Sequence, residues 1–82
     1  MEILPLSKRL HAFLRNHRLE QTFRKQTALF CENPWHPSLH TEVLEPKRLR
    51  IYSFRLTRSY RVMFVYCGSE TIEIIDVNNH YR

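Results

Sequence analysis

The sequence predicts an α+β fold, with an N-terminal helical hairpin packed on one face of a small twisted antiparallel sheet. Two observations predict it. Apolar residues recur at helical spacing as far as residue 32, and from residue 40 onward they alternate with polar residues. Because a chain of 82 residues has room for one hydrophobic core, we expect a single domain over residues 1–82.

The first helix is predicted over residues 6–16, with Ser7 as a start signal. Its apolar residues repeat at i, i+4, i+7 and i+8: Leu6, Leu10, Phe13 and Leu14. The second helix is predicted over residues 18–32, and the prolines at positions 34 and 37 end it. Its apolar spacing rests on Leu19, Phe23 and Phe30. Each helix must bury its apolar stripe against another element, so we expect the pair to cover a sheet.

Strands are predicted where the period changes to two: residues 41–44, 50–57, 60–66 and 71–77. The last two strands form a hairpin around the turn CGSE, with Gly68 and Ser69 at its tip. This turn predicts three cross-strand pairs: Tyr66 with Thr71, Met63 with Ile74, and Arg61 with Asp76. The segment MEIL at the start of the chain is a candidate edge strand.

Alternation within the strand at 50–57 assigns its side chains to opposite faces of the sheet. One face receives Tyr52, Phe54 and Leu56, and the other receives Ile51, Ser53 and Arg55. We expect the phenylalanines of the helices to cover the first of these faces. The predicted contacts join Phe13, Phe23 and Phe30 to Phe54, Leu56, Val62 and Phe64.

Positive charge is concentrated in the second half of the chain. The sequence has 13 Lys and Arg against 8 Asp and Glu, a net charge of +5. A dense group of cations lies in a short stretch: Lys47, Arg48, Arg50, Arg55, Arg58 and Arg61. Such a patch attracts phosphates or an acidic protein, although an ordinary solvated surface is the alternative. For Arg61, a cross-strand ion pair with Asp76 is the corresponding structural role.

Cysteine usage and hydropathy favour a cytoplasmic protein without membrane association. Cys31 and Cys67 are too few for a disulfide framework, so free thiols are expected, with a bridge between them as the alternative. The chain has no apolar run of membrane-spanning length and no secretory signal pattern.

No cofactor or metal is predicted. The spacing of Cys31, His36 and His40 matches no closed four-ligand zinc pattern. A lone glycine excludes a Gly-rich phosphate loop. Trp35, between Pro34 and His36, is expected to anchor its loop on the core.

Three segments resemble the RelE/ParE superfamily of toxins from bacterial type II toxin–antitoxin systems: ENPWHPSLHTEVL, YSFRLTRSYRVMF and IEIIDVNNHYR. The resemblance covers residues 29–82. The branch that fits is that of the YoeB-like and RelE-like mRNA interferases, whose W/Y-S-x-R-[IL]-x-x-x-x-R-[LV]-x-[YF] segment matches residues 52–64 without a gap. The implied fold has two helices on one face of a twisted antiparallel sheet, with RNA bound on the other face in the ribosomal A site.

The resemblance also implies a reaction, the metal-independent cleavage of mRNA by attack of a ribose 2′-hydroxyl on the adjacent phosphate. Such chemistry needs a base, a cation for the phosphorane and an acid for the leaving oxygen. The resemblance assigns these roles to Glu42, Arg61 and His80, with Glu45 as an alternative base. The residues expected to bind RNA are Lys47, Arg48, Arg50, Ser53, Arg55, Arg58 and Tyr81.

The partners implied by the resemblance are a cognate acidic antitoxin, the ribosome and mRNA, in a homodimer or a toxin–antitoxin hetero-oligomer. Two noncatalytic alternatives stay open: a ParE-like poison that binds DNA gyrase, and an inactive homologue that only binds its antitoxin. ParE-like members generally lack the Glu, Arg and His set, which favours the nuclease. A stand-alone RNA-binding module would need exposed aromatic residues, but alternation places Tyr52, Tyr60 and Tyr66 on the side of the apolar, core-facing residues.

Overall fold

The computed structural model describes residues 1–79, in which two helices pack on a five-stranded sheet. Its elements in chain order are β1 (Glu2–Ile3), α1 (Lys8–Asn16), α2 (Glu20–Glu32), β2 (Glu42–Val43), β3 (Tyr52–Arg55), β4 (Arg61–Tyr66) and β5 (Thr71–Asn78). The strand order is β1-β5-β4-β3-β2. All neighbours are antiparallel except β1, which pairs with β5 in parallel. The predicted α+β fold is confirmed, and the N-terminal edge strand makes the sheet mixed.

A side-chain cap sets the start of α1. Ser7 has an extended backbone with ψ 160°, and its hydroxyl accepts a hydrogen bond from the Leu10 N–H at 3.2 Å. A residue in this conformation precedes a helix instead of belonging to it, so α1 begins at Lys8 and not at residue 6.

Neither helix of residues 1–79 has the length and apolar character needed to cross a bilayer.

The connection between the helices is a Schellman motif. Arg18 adopts a left-handed backbone with φ 57°, and the Leu19 N–H donates to the Leu14 carbonyl at 2.8 Å. A left-handed residue cannot continue a right-handed helix, so α2 begins at Glu20 and not at residue 18.

β3 is shorter than the predicted strand at 50–57 because turns occupy both of its ends. Arg50 is left-handed with φ 54° and closes the 3₁₀ turn Lys47–Leu49. After β3, the Thr57 hydroxyl accepts hydrogen bonds from the N–H groups of Ser59 and Tyr60, both at 3.1 Å. Such side-chain bonds offer the backbone a turn in place of a sheet ladder.

The register of the β4–β5 hairpin differs from the prediction, which is wrong at all three pairs. At the turn, the Cys67 N–H bonds to the Thr71 carbonyl at 2.8 Å, so the loop is one residue longer and Tyr66 faces Ile72. Farther along, an irregularity opposite Met63 and Phe64 inserts Ile75 as a bulge. The remaining observed pairs are Phe64 with Ile74, Met63 with Asp76, and Arg61 with Asn78.

The core lies between the helices and one face of the sheet. Phe30 of α2 is fully buried, with its ring centroid 4.9 Å from that of Phe54 and 5.0 Å from that of Phe64. Leu56 and Val62 are also buried, while the partly buried residues Phe13 and Phe23 pack against the same cluster. The packing of the helices on this face of the sheet, predicted from periodicity, is confirmed.

Truncating Phe30 should test this arrangement. Because the ring fills the centre of the core, Phe30→Ala is expected to cost about 3–5 kcal/mol in the free energy of unfolding. A domain of this kind has only about 5–15 kcal/mol in total, so the milder Phe30→Leu should be measured beside it. The measurement is urea unfolding, with Phe23→Leu as the control at the core margin. Equal losses in the two leucine variants would contradict the central place of Phe30.

Candidate functional site

Several of the residues predicted to form the site lie on the face of the sheet opposite the helices. Side chains of residues that pair across neighbouring strands point to the same side. The pairs run from the β2 edge inward: Glu42 with Ser53, Ser53 with Met63, and Met63 with Asp76. One pleat further, Arg55 pairs with Arg61 and Arg61 pairs with Asn78. We call this surface the site face; its residues are Glu42, Ser53, Arg55, Arg61, Met63, Asp76 and Asn78.

Arg61 is held by oxygen acceptors from two segments of the chain. Its Nε donates to the Ser53 hydroxyl at 2.9 Å. Its Nη2 donates to the carbonyl oxygens of His40 at 2.6 Å and of Ser53 at 3.3 Å. The side chain is only 13% exposed. Hydrogen bonds at two nitrogens of a planar group fix both its position and its tilt.

Glu42 lies beside this guanidinium. Its Oε2 is 3.4 Å from Arg61 Nη2, and the Glu42 side chain is 42% exposed. The carboxylate is therefore open to solvent while its cationic neighbour is almost covered. The structure brings together two of the three residues predicted to be catalytic. Glu45, the alternative base, is exposed and lies outside β2.

A short 3₁₀ turn directs the His40 carbonyl toward Arg61. The turn Pro37–Leu39 is anchored by the fully buried Leu39, and at its start the His36 Nδ1 accepts a hydrogen bond from the Ser38 N–H at 3.1 Å. His40 then adopts the left-handed conformation with φ 47° and ψ 48°. His40 therefore contributes to the site through its backbone.

The candidate zinc ligands have other surroundings. Cys31 is a free thiol at the surface, and the His36 Nδ1 accepts a hydrogen bond from the Ser38 N–H. Cys67 is also a free surface thiol, so the alternative of a Cys31–Cys67 bridge is wrong. Across residues 1–79, no three His, Cys, Asp or Glu side chains form a group that could hold a metal ion.

The prediction that Trp35, between Pro34 and His36, anchors its loop on the core is wrong. The side chain is 58% exposed, although the Trp35 N–H bonds to the Asn33 side-chain oxygen at 3.1 Å. A local turn bond orders this part of the loop, so the indole is not required as a packing residue.

The residues predicted to bind RNA divide by burial. Ser53 is on the predicted face but is 0% exposed, so it has no surface for RNA and contacts Arg61 instead. Arg55 is partly buried on the site face. The remaining cations predicted to bind RNA are exposed around the ends of β3: Lys47, Arg48, Arg50 and Arg58. His80 and Tyr81 lie outside the described residues.

Asp76 has partners that the sequence did not indicate. Arg9 of α1 places its Nη1 3.5 Å from Asp76 Oδ1, and the Asn78 side-chain amide donates to Asp76 Oδ2 at 2.7 Å. The predicted role of Asp76 as the cross-strand partner of Arg61 is therefore wrong. The longer loop and the bulge at Ile75 each shift the register by one residue, and together they place Asn78 opposite Arg61.

A concavity separate from the site face lies where β4 extends past the start of β3. It has a volume of about 320 Å³ and is lined by Leu49, Arg50, Tyr52, Val65 and Tyr66. Burial raises the pKa of the Tyr66 phenol above its usual 10.0, and Tyr52 and Glu70 raise it further. Tyr66 thus remains neutral and able to donate a hydrogen bond at any physiological pH.

Solved structures share this fold. A YoeB/ParE toxin from Agrobacterium tumefaciens matches with a TM-score of 0.74 at 20% identity, over 99% of this chain and 100% of that chain. A chain of the heterotetrameric YoeB–YefM toxin–antitoxin complex from Staphylococcus aureus matches with a TM-score of 0.70 at 14% identity, over 98% and 94%. No protein-family model and no curated protein matches the sequence. The chain shares the fold of these two solved chains, as the sequence resemblance implied.

Arg61 and Glu42 should differ in what they contribute to stability. Arg61→Ala removes the donor from the buried Ser53 hydroxyl and from two carbonyls, which is expected to cost about 1–3 kcal/mol. Glu42→Gln removes one half-exposed ion pair, expected to contribute about 0–1 kcal/mol. Urea unfolding of both variants at the same ionic strength measures the difference. A larger loss for Glu42→Gln would contradict the description of Arg61 as fixed by neutral acceptors.

Proposed function

We propose that this chain is the toxin of a type II toxin–antitoxin system and that it cleaves ribosome-bound mRNA as a metal-independent endoribonuclease. The observation that supports the proposal is the approach of the Glu42 carboxylate to within 3.4 Å of the Arg61 guanidinium on the site face of a RelE-like fold. A carboxylate beside a fixed cation supplies a proton acceptor and an anion-stabilising group at one place.

In the proposed reaction the ribose 2′-oxygen bonds to phosphorus and the bond from phosphorus to the 5′-oxygen breaks. Glu42 accepts the proton of the 2′-hydroxyl, which its solvent-open carboxylate permits. Arg61 donates to the nonbridging oxygens as their negative charge grows, and its fixed position reduces the reorganisation needed at that moment. His80 gives a proton to the departing 5′-oxygen, a role that rests on the sequence resemblance alone. The products are a 2′,3′-cyclic phosphate and a 5′-hydroxyl.

Substrate binding is assigned to the cations around the reacting pair. Arg55 and Arg61 are direct cross-strand neighbours, an arrangement in which like charges repel. A phosphodiester bound between them would relieve this repulsion. The exposed cations Lys47, Arg48, Arg50 and Arg58, together with Tyr81, which follows His80 in the sequence, would contact further phosphates without reading sequence.

An acidic antitoxin is the proposed protein partner, in a hetero-oligomer formed in the cytoplasm. The solved Staphylococcus aureus relative in fold is a toxin–antitoxin complex. The net charge of +5 favours an acidic segment that covers the site face and neutralises its cations. Such a partner would block RNA and control the toxin.

The nuclease proposal is tested with purified protein and mRNA programmed into ribosomes. Arg61→Ala should lower the cleavage rate by about 10²-fold or more, the scale of one lost transition-state donor. Glu42→Gln and His80→Gln should also slow cleavage, and a chelator should not affect the parent protein. Arg24→Ala, an exposed α2 substitution, is the matched control. Undiminished cleavage by Arg61→Ala would overturn the mechanism, and inhibition of gyrase supercoiling without cleavage would favour the gyrase-binding alternative.

The role of Arg55 is tested by the salt dependence of RNA binding. The probe is a fluorescently labelled single-stranded RNA with 2′-O-methyl groups, which cannot undergo 2′-hydroxyl attack. Arg55→Ala should reduce the slope of log K against log salt by about 0.7 if it removes one phosphate contact. Lys25→Ala on α2 should leave the slope unchanged. An unchanged slope in Arg55→Ala would exclude the residue from the RNA contact surface.

A further inference from the structure

We infer that Ser53 and His40 are positioning residues, which set the orientation of Arg61 without touching the substrate. This inference rests on the proposed function for its catalytic consequence, but the orientation itself is measurable without any reaction. The two residues contact Arg61 from different elements, β3 and the segment after the Pro37–Leu39 turn.

Ser53 supplies acceptors to two nitrogens of the guanidinium. The Ser53 hydroxyl accepts from Nε at 2.9 Å and the Ser53 carbonyl accepts from Nη2 at 3.3 Å. Because the N–H groups of a guanidinium lie in its plane, two acceptors on one residue restrict rotation of the group about the side-chain axis. A point contact to a lysine ammonium would not do this, because only arginine offers a planar set of donors.

The burial of Ser53 indicates that its hydroxyl has a specific role as a hydrogen-bond acceptor. Within residues 1–79 it is the one polar or charged residue in the buried class, with 0% exposure. An alanine would occupy nearly the same volume without requiring a hydrogen-bond partner. A buried hydroxyl is costly unless it is bonded, and the bond it makes here is to Arg61. The serine is therefore best explained by what it does to the arginine.

His40 adds the third acceptor, and its backbone conformation determines where that acceptor points. The His40 carbonyl lies 2.6 Å from Arg61 Nη2, and the residue has φ 47°. Left-handed backbone is unfavourable for most side chains and most of all for β-branched ones. The fully buried Leu39 holds the preceding turn and keeps His40 in this conformation.

The test of Ser53 is a double-mutant cycle with Arg61. Ser53→Ala should lower kcat for cleavage of ribosome-bound mRNA by about 10-fold with little change in KM, because an acceptor of a charged donor is lost. In an Arg61→Ala background, Ser53→Ala should have no further effect on kcat. Ile72→Val, a core change at the other end of the sheet, controls for loss of stability alone. Additive effects of Ser53→Ala and Arg61→Ala would overturn the inference.

The second measurement is NMR of the arginine Nε–H groups in the protein without RNA. The Arg61 Nε–H should exchange slowly with water in the parent and at least 10-fold faster in Ser53→Ala, since its acceptor is gone. His40→Gly, which keeps the left-handed backbone, should retain the parent spectrum, whereas His40→Val should disturb the Arg61 Nη signals. An unprotected Arg61 Nε–H in the parent, or equal spectra for the two His40 variants, would overturn the inference. A protected Nε–H in a parent that cleaves no mRNA would refute the nuclease proposal and leave the positioning intact.

Discussion

The pairing of β3 with β4 is the constraint on which the site depends. Phe54 faces Val62 in this pair, and Phe30 covers Phe54 and Phe64 from the helix side. Side chains alternate along a strand, so a slip of one residue would exchange the two faces and carry the Arg61 guanidinium into the apolar core. The energy of burying the phenylalanines therefore also fixes the register that brings Ser53 and Arg61 to the same side. Core packing and site geometry are two consequences of one alignment.

The helical hairpin, the strands and their faces could be predicted from periodicity, because each depends on where apolar residues recur. Register could not. The extra residue in the Cys67–Thr71 loop and the bulge at Ile75 displaced β5 in two steps, and neither carries a composition signal. The helix and strand boundaries were displaced for a related reason. Arg18 and Arg50 occupy left-handed positions where glycine would have marked a turn, and arginine gives no such mark.

The sequence could predict which side chains form the site but not the backbone contacts that hold them. The resemblance indicated Glu42 and Arg61, and the structure places them 3.4 Å apart. The contacts that hold Arg61 include two backbone carbonyls, and no residue pattern specifies where a carbonyl will point. The burial of Ser53 was missed because a strand that alternates polar and apolar residues predicts an exposed polar face. The Arg61 side chain bonds to its hydroxyl and carbonyl, a contact that a period-two pattern does not reveal.

On the proposed mechanism, the contacts of Arg61 determine whether Glu42 or Arg61 moves when RNA binds. A phosphate approaching Arg61 competes with Glu42, whose side chain is 42% exposed, for the same guanidinium. Arg61 is also bonded to Ser53 and His40, in contacts that do not include the carboxylate. The proposed mechanism therefore requires the more exposed carboxylate to turn toward a 2′-hydroxyl, while the more buried cation holds the position at which the phosphorane forms. The acceptors in these bonds to Ser53 and His40 are a hydroxyl and two carbonyls, which carry no net charge, so on the proposed mechanism they orient the guanidinium without neutralising the charge that stabilises the phosphorane.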